Sequence, residues 1–247
     1  MKLLNLFLLS VSLVCAQTIK MTSLEWPPYS GKELPEQGLS VAIAKRAFAA
    51  MGYTLEMDFY PWRRALLLAG NSEEYHGYLP EYRALELDSA CLFSHSMGKS
   101  HLGMVERKNK PLAWESVADL GHYTIGTVQG YVNTHAFDTM ANQGLLRTEA
   151  SVSDVLNIKK VLSERIDAAI IDRDVLAYFL ATDSTFADQG NLLQFHSKLL
   201  EEKDLHACFQ KNEKGRHLAH IFNQGLEKID ITAITKEYFI SLGFSRP

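Results

Sequence analysis

The segment Arg165-Ile166-Asp167-Ala168-Ala169-Ile170-Ile171-Asp172 carries the strongest fold signal in the chain. Its centre, Ala168 to Ile171, is apolar without alternation, the pattern of a strand buried on both faces in a parallel sheet. Asp172 ends the run. A carboxylate at a strand tip is placed to meet an amino group, and equally placed to cap a helix starting at Arg173; the two roles are compatible. Upstream, residues 151 to 165 set Val155, Ile158 and Leu162 on one helical face, with Ser151 as the expected N-cap and Asp154 completing a box-like start. A helix feeding a buried strand that feeds a second helix is the repeating unit of α/β architecture.

The alternation extends in both directions. Thr18 to Leu24 reads as a short strand, stopped by Trp26-Pro27-Pro28-Tyr29, where two prolines force a loop. Leu39, Ile43, Ala47 and Ala50 mark a helix ending at Gly52. Tyr53 to Tyr60 alternates as a strand, and Pro61 is expected at the first position of a helix over Trp62 to Ala69. Further strands are expected at Ala90–Phe93, His101–Arg107, Tyr123–Thr127 and Leu205–Gln210. Helices are expected at Trp114–Leu120, Thr134–Gln143, Lys214–Ile229 and Thr232–Leu242. This order predicts mainly parallel sheets. No flexible Gly/Ser linker interrupts it, so two lobes would be joined by strands.

The 247 residues, 47% hydrophobic and 22% charged, suit two small α/β lobes. A formal charge of −4 offers no basic field, so nucleic acid is not expected as a partner. Residues 1–16 have a positive start at Lys2, an apolar run from Leu3 to Val14 and a small-residue exit at Cys15-Ala16, which predicts a secretory leader cleaved before Gln17. That run is shorter than the roughly 20 residues a bilayer span requires. A released periplasmic monomer is the expectation. Cys91 and Cys208 remain after cleavage. Each sits among apolar neighbours, and the spacing leaves open whether they form a disulfide or stay as buried thiols.

No dinucleotide fingerprint, phosphate loop, GxSxG elbow or HExxH motif is present. His217 and His220 supply two imidazoles without a third ligand, so no metal site and no cofactor is expected. Polar and aromatic groups instead gather at strand ends, where open α/β sheets bind ligands. Glu25, Trp26 and Tyr29 follow the first strand: the rings offer a stacking wall, and Glu25 an acceptor for an ammonium. Trp62, Arg63 and Arg64 open a helix, and an arginine there suits a carboxylate.

The segment at 165–172 resembles the RIDAAxxD stretch of family 3 periplasmic solute-binding proteins, the amino-acid-binding group. Leu24–Tyr29 resembles that family's first ligand loop, Phe93-Ser94 its FS before the first hinge crossing, and Ile125–Gly130 the strand and turn that open the second lobe's ligand site. The resemblance implies a type II periplasmic-binding fold. Two lobes, residues 17–103 with 209–247 and residues 104–208, would each hold a mixed sheet flanked by helices and be joined by two hinge strands. It further implies that Asp172 receives a ligand ammonium and that Trp26 and Tyr29 pack on the ligand. Tyr131, Val132 and Asn133 stand where the family places hydroxyl residues. Leu87 stands where the family carries the carboxylate-clamping arginine, so either Arg83, four residues earlier, replaces the clamp or the ligand is not a standard α-amino acid; Tyr75-His76-Gly77 stands where the family carries glycine and aspartate. The ligand-binding set is therefore Glu25, Trp26, Tyr29, Trp62, Arg63, Tyr75, Arg83, Tyr131, Asn133 and Asp172. The implied function is capture of an amino acid or related amine or acid by hinge closure, with an ABC permease or membrane sensor as partner and no catalysis. The alternative is an enzyme on the same scaffold, similar to cyclohexadienyl dehydratases, with Glu25, Glu81 or His76 as the acid.

Overall fold

A computed structural model describes residues 17–84 and 87–243; the expected leader lies outside the described residues. The strands are β1 (Gln17–Ser23), β2 (Tyr53–Phe59), β3 (Gly77–Tyr82), β4 (Cys91–Phe93), β5 (Lys99–Arg107), β6 (Thr124–Val128), β7 (Arg147–Ser151), β8 (Ala168–Asp172), β9 (Leu193–Phe195) and β10 (Glu201–Gln210). The helices are α1 (Leu39–Ala49), α2 (Trp62–Asn71), α3 (His135–Asn142), α4 (Asp154–Leu162), α5 (Arg173–Thr182), α6 (Glu213–Leu226) and α7 (Ile231–Ser241). No helix among the described residues is long and apolar enough to cross a membrane.

The sheet path runs β2-β1-β3-β10-β5-β8-β6-β7, with β4 on β10 and β9 on β5. Pairing is mixed rather than mainly parallel. β1 runs parallel to β2 and β3, and β6 parallel to β7 and β8, whereas β5 and β10 pair antiparallel with each neighbour. β10 is shared by both halves. Its first residues, Glu201 to Asp204, pair with β5, and from Leu205 onward it pairs with β3 and β4. The other strand path between the halves runs from Phe93 at the end of β4 to Lys99 at the start of β5.

Each half is covered by helices whose apolar stripes match the sequence spacing. On the first, Phe48 of α1, Phe209 of β10 and Phe222 of α6 form a ring cluster with centroids 4.9–6.3 Å apart. Gly225 lets α6 approach α1 so closely that a Cβ there would lie 2.0 Å from the Ala47 carbonyl oxygen. On the second, α4 and α5 flank β8, whose five residues are all buried, as its unbroken apolar run predicts. Cys91 and Cys208 form a disulfide, joining the adjacent antiparallel strands β4 and β10 at a Cα–Cα distance of 5.4 Å.

Three local expectations are corrected, and strands β7 and β3 are among those the sequence pattern does not announce. α4 starts two residues later than expected: Ser153 is its N-cap, accepting from the Leu156 N–H, while Ser151 ends strand β7. β7 is an exposed edge strand of mixed polarity and gives no alternation to read. β3 contains Pro80, which argues against a strand in sequence, yet all six of its residues are buried. The helix expected at Trp114–Leu120 is a 3-10 segment, Val117–His122, entered through a Ser116–Asp119 capping box. Pro61 sits at the N-cap of α2 rather than inside it.

Candidate functional site

The loops that follow β1, β3, β6 and β8 converge between the two halves. After β1, a tight turn closed by the Trp26–Ser30 bridge stacks Tyr29 on Trp26, with centroids 4.6 Å apart and planes at 28°. Tyr82, at the end of β3, meets Trp26 edge-on at 6.0 Å. Trp62, the first residue of α2, is edge-on to Tyr78 at 5.4 Å and to Tyr131 at 6.4 Å. Tyr131 belongs to the turn after β6, in which Gly130 has φ 80°. These rings enclose a cavity of about 30 Å³, lined by Trp26, Trp62, Tyr82 and Tyr131, by the apolar Leu24, Pro80, Val132 and Leu205, and by one carboxyl, Glu81. Past Tyr131 and Val132, which line both spaces, lies a larger chamber of about 520 Å³ bordered by Arg83, Gln129, Asn133, Glu201 and Lys203.

Hydrogen bonds cross from one half to the other at this point. The Trp62 Nε1–H donates to the Gly130 carbonyl at 3.1 Å. The Tyr29 hydroxyl lies 3.2 Å from both oxygens of Asp172 and 3.1 Å from Asp174 Oδ2. Asp172 is the N-cap of α5: its Oδ1 accepts from the Asp174 and Val175 N–H groups at 2.7 and 3.0 Å. Its Oδ2 accepts from the Ser100 hydroxyl at 2.5 Å and the His101 N–H at 3.0 Å. Ser100 in turn meets the Tyr82 hydroxyl at 2.6 Å, which ties Asp172 to the wall of the cavity.

The electrostatics are dominated by buried acids. Burial pushes the Glu81 carboxyl up to about 8, against the Tyr82 N–H it accepts at 2.8 Å and an interaction with the Tyr78 hydroxyl. Burial and the charge of Asp172 raise Asp154, beside the Tyr131 hydroxyl, to about 7. Burial and the charge of Asp174 raise Asp172 to about 6. Water is excluded, and each acid holds its proton more tightly than it would in solution. Lys203 is also buried; its ammonium donates to the Asn133 carbonyl at 2.7 Å and lies 3.7 Å from Glu201 and 5.2 Å from the Tyr82 ring centre.

Of the residues singled out in sequence, Trp26, Trp62 and Tyr131 line the cavity, and Tyr29 and Asp172 back it. Asn133 borders the larger chamber, gripping Asp138 through its backbone and side-chain N–H groups. Arg83 borders that chamber too, but its side chain is 65% exposed, lies 3.7 Å from Asp88 and stands over the Phe93 ring. Glu25 is exposed and braces its own loop by accepting from the Lys32 N–H. Arg63 is exposed. Tyr75 is bonded to Tyr60 and Asp58 at the C-terminal end of the edge strand β2 and does not line the cavity. His76 is buried against Lys20, with its pKa lowered by burial. Sequence reasoning did not assign Tyr82, Tyr78, Asp154 or Lys203 to the site, and it considered Glu81 only as an enzyme's acid. Tyr78, Glu81 and Tyr82 all belong to β3, the strand that Pro80 conceals.

No protein-family model matches the chain, and no curated protein matches it. Solved structures do, at low identity. A histidine kinase sensor domain with similarity to periplasmic binding proteins superposes with TM-score 0.77 at 14% identity, over 94% of this chain and 99% of that one. An amino acid ABC transporter substrate-binding protein from Streptococcus pneumoniae, bound to L-arginine, gives 0.72 at 15%, over 91% and 95%. An ancestral amino-acid-binding protein described as a precursor of cyclohexadienyl dehydratase gives 0.68 at 14%, over 91% and 94%. The chain therefore has the two-lobed periplasmic-binding fold implied by its sequence resemblance.

Proposed function

We propose that the chain is a periplasmic solute-binding protein that catches a small polar ligand between its lobes, closes on it and presents the closed form to an ABC permease or a membrane sensor. The observation that carries this reading is the meeting of the two halves. Tyr29 reaches Asp172 and Asp174, and Trp62 reaches Gly130, around a ring-walled cavity with a single carboxyl in its lining. A ligand in that cavity gains contacts from both sides only when the halves are together, so it shifts the population toward closure. The lobe division expected at 103/104 and 208/209 is proposed to work mechanically where pairing changes sheet, at residues 94–98 and at Asp204-Leu205. Both kinds of membrane partner have precedent among the structural neighbours, one a transporter component and one a sensor domain.

One observation favours a second reading. Glu81, held protonated near neutral pH, has the character of a general acid, and one neighbour is described as a precursor of a dehydratase. A thermal-shift screen against amino acids, amines, small peptides and cyclohexadienyl acids separates the two. A ligand at about 100 times its Kd adds about 2.7 kcal/mol of stability, which raises Tm by several degrees. Recovery of the unmodified ligand by mass spectrometry supports binding, and a dehydrated product supports the lyase. Absence of a shift with every class counts against both.

A further inference from the structure

Within the solute-binding reading, on which this inference rests, we infer that the ligand is an organic cation without an α-carboxylate, its ammonium head seated among Trp26, Trp62, Tyr82 and Tyr131 against Glu81. Four aromatic rings line one small space, and aromatic faces attract cations. Glu81 is 6% exposed, and no ion pair is formed with it among the described residues, although the charge of Lys203 reaches it. The Glu81 Oε1 takes the Tyr82 N–H and the carboxyl also meets the Tyr78 hydroxyl; the rest of the cavity lining is rings and apolar groups. The buried Lys203 ammonium donates to the Asn133 carbonyl, lies 3.7 Å from Glu201 and stands 5.2 Å from the Tyr82 ring centre, and its charge acts on Glu81 without pairing with it.

Asp172 is the residue to which the family resemblance assigns the ammonium, and it is already saturated. Two cap N–H groups, the His101 N–H, the Ser100 hydroxyl and the Tyr29 hydroxyl fill its oxygens, so a ligand head gains little there. No arginine lines the cavity to clamp a carboxylate, and Arg83 points to Asp88 with its side chain mostly in solvent. Size agrees with charge. About 30 Å³ suits an ammonium head rather than a whole amino acid, and the rest of an elongated amine passes Tyr131 into the chamber of about 520 Å³.

The test is calorimetric titration of the purified chain with butylammonium and tetramethylammonium, beside L-norvaline and butyrate as zwitterion and anion of similar size. Either amine is expected to bind saturably and more tightly than norvaline or butyrate. Glu81→Gln keeps the shape and the acceptor for the Tyr82 N–H but cannot give up a proton to become the counter-charge of a bound ammonium, and is expected to weaken amine binding by about 100-fold or more. Should that variant fail its thermal-unfolding control, Tyr131 carries the test. Tyr131→Phe keeps the ring and should bind within about threefold of the parent, whereas Tyr131→Leu should lose roughly 3- to 30-fold. Tighter binding of norvaline or butyrate, or amine affinity indifferent to both Glu81→Gln and Tyr131→Leu, overturns the cation assignment and leaves solute binding standing. Failure of both amines to bind overturns the cation assignment by itself. If the broad ligand screen is silent as well, the solute-binding reading falls with it.

Discussion

Replacing Asp172 by alanine separates structure from ligand contact at the residue that ends the diagnostic segment. The carboxylate caps α5 through two N–H groups, and loss of such a cap costs about 1 kcal/mol. It is also the side-chain acceptor for the His101 N–H, and a stranded buried donor costs about 1–3 kcal/mol. Tyr29 keeps Asp174, and Ser100 keeps Tyr82, so those hydroxyls add little. The expected loss is about 2–4 kcal/mol, or roughly 5–15 °C in Tm for a chain of this size. The loss depends on pH. The Asp172 carboxyl is raised to about 6 in the fold from an unfolded value near 3.8. The folded state therefore binds the extra proton, and the wild type loses stability as pH rises from about 4 to 6. A two-unit displacement corresponds to about 3 kcal/mol. Because alanine has no such charge to bury, the deficit of Asp172→Ala should be largest near pH 4 and shrink by pH 7. Thermal unfolding followed by circular dichroism at both pH values measures it. A deficit that is absent near pH 4, or that grows toward pH 7, refutes the reasoning.

Glu81 and Asp154, raised to about 8 and about 7, extend the same linkage upward. Stability of the unliganded chain in urea should fall from about pH 4.5 to pH 8, and Glu81→Gln or Asp154→Asn should flatten the curve. Of the groups facing these acids, Tyr78, Tyr82 and Tyr131 stay neutral throughout, and Asp172 titrates with the same sign, so a curve that rises instead contradicts the assignment. Reducing the Cys91–Cys208 disulfide, which spans 117 residues of sequence, should cost about 2–4 kcal/mol, visible as a lower denaturation midpoint. Gly225→Ala should cost about 1–3 kcal/mol, because its methyl meets the Ala47 carbonyl between α6 and α1; an unchanged Tm would mean that the helices can slide apart freely.

Much of the fold was legible because burial leaves a periodic imprint. β8 announced itself by an unbroken apolar run, and α1 and α6 by their helical stripes. Trp26, Trp62 and Tyr131 were legible as candidates because large rings beside proline and glycine turns mark strand ends, and the structure places all three on the cavity wall. What escaped had physical reasons. Pro80 hid β3 and with it Tyr78, Glu81 and Tyr82, because a proline normally forfeits a ladder hydrogen bond. β7 lies at a sheet edge, so its residues alternate weakly. Asp154 looked like part of a helix start, which it is; only the packing of Tyr131 and Asp172 around it reveals its burial. Arg63 and Tyr75 carry the right chemistry at positions that the backbone turns elsewhere, and side-chain direction is not written in spacing alone.

A strand shared by both sheets also dictates the order in which the molecule can be built. β3 in the first half and β5 in the second each wait for β10, which is made more than a hundred residues after β3 begins. Until then neither half has its central partner, and the hydrophobic surfaces that β10 will cover stay open. Such long-range closure slows folding relative to local assembly. The two sheets are thus completed together, and only once β10 has been synthesised.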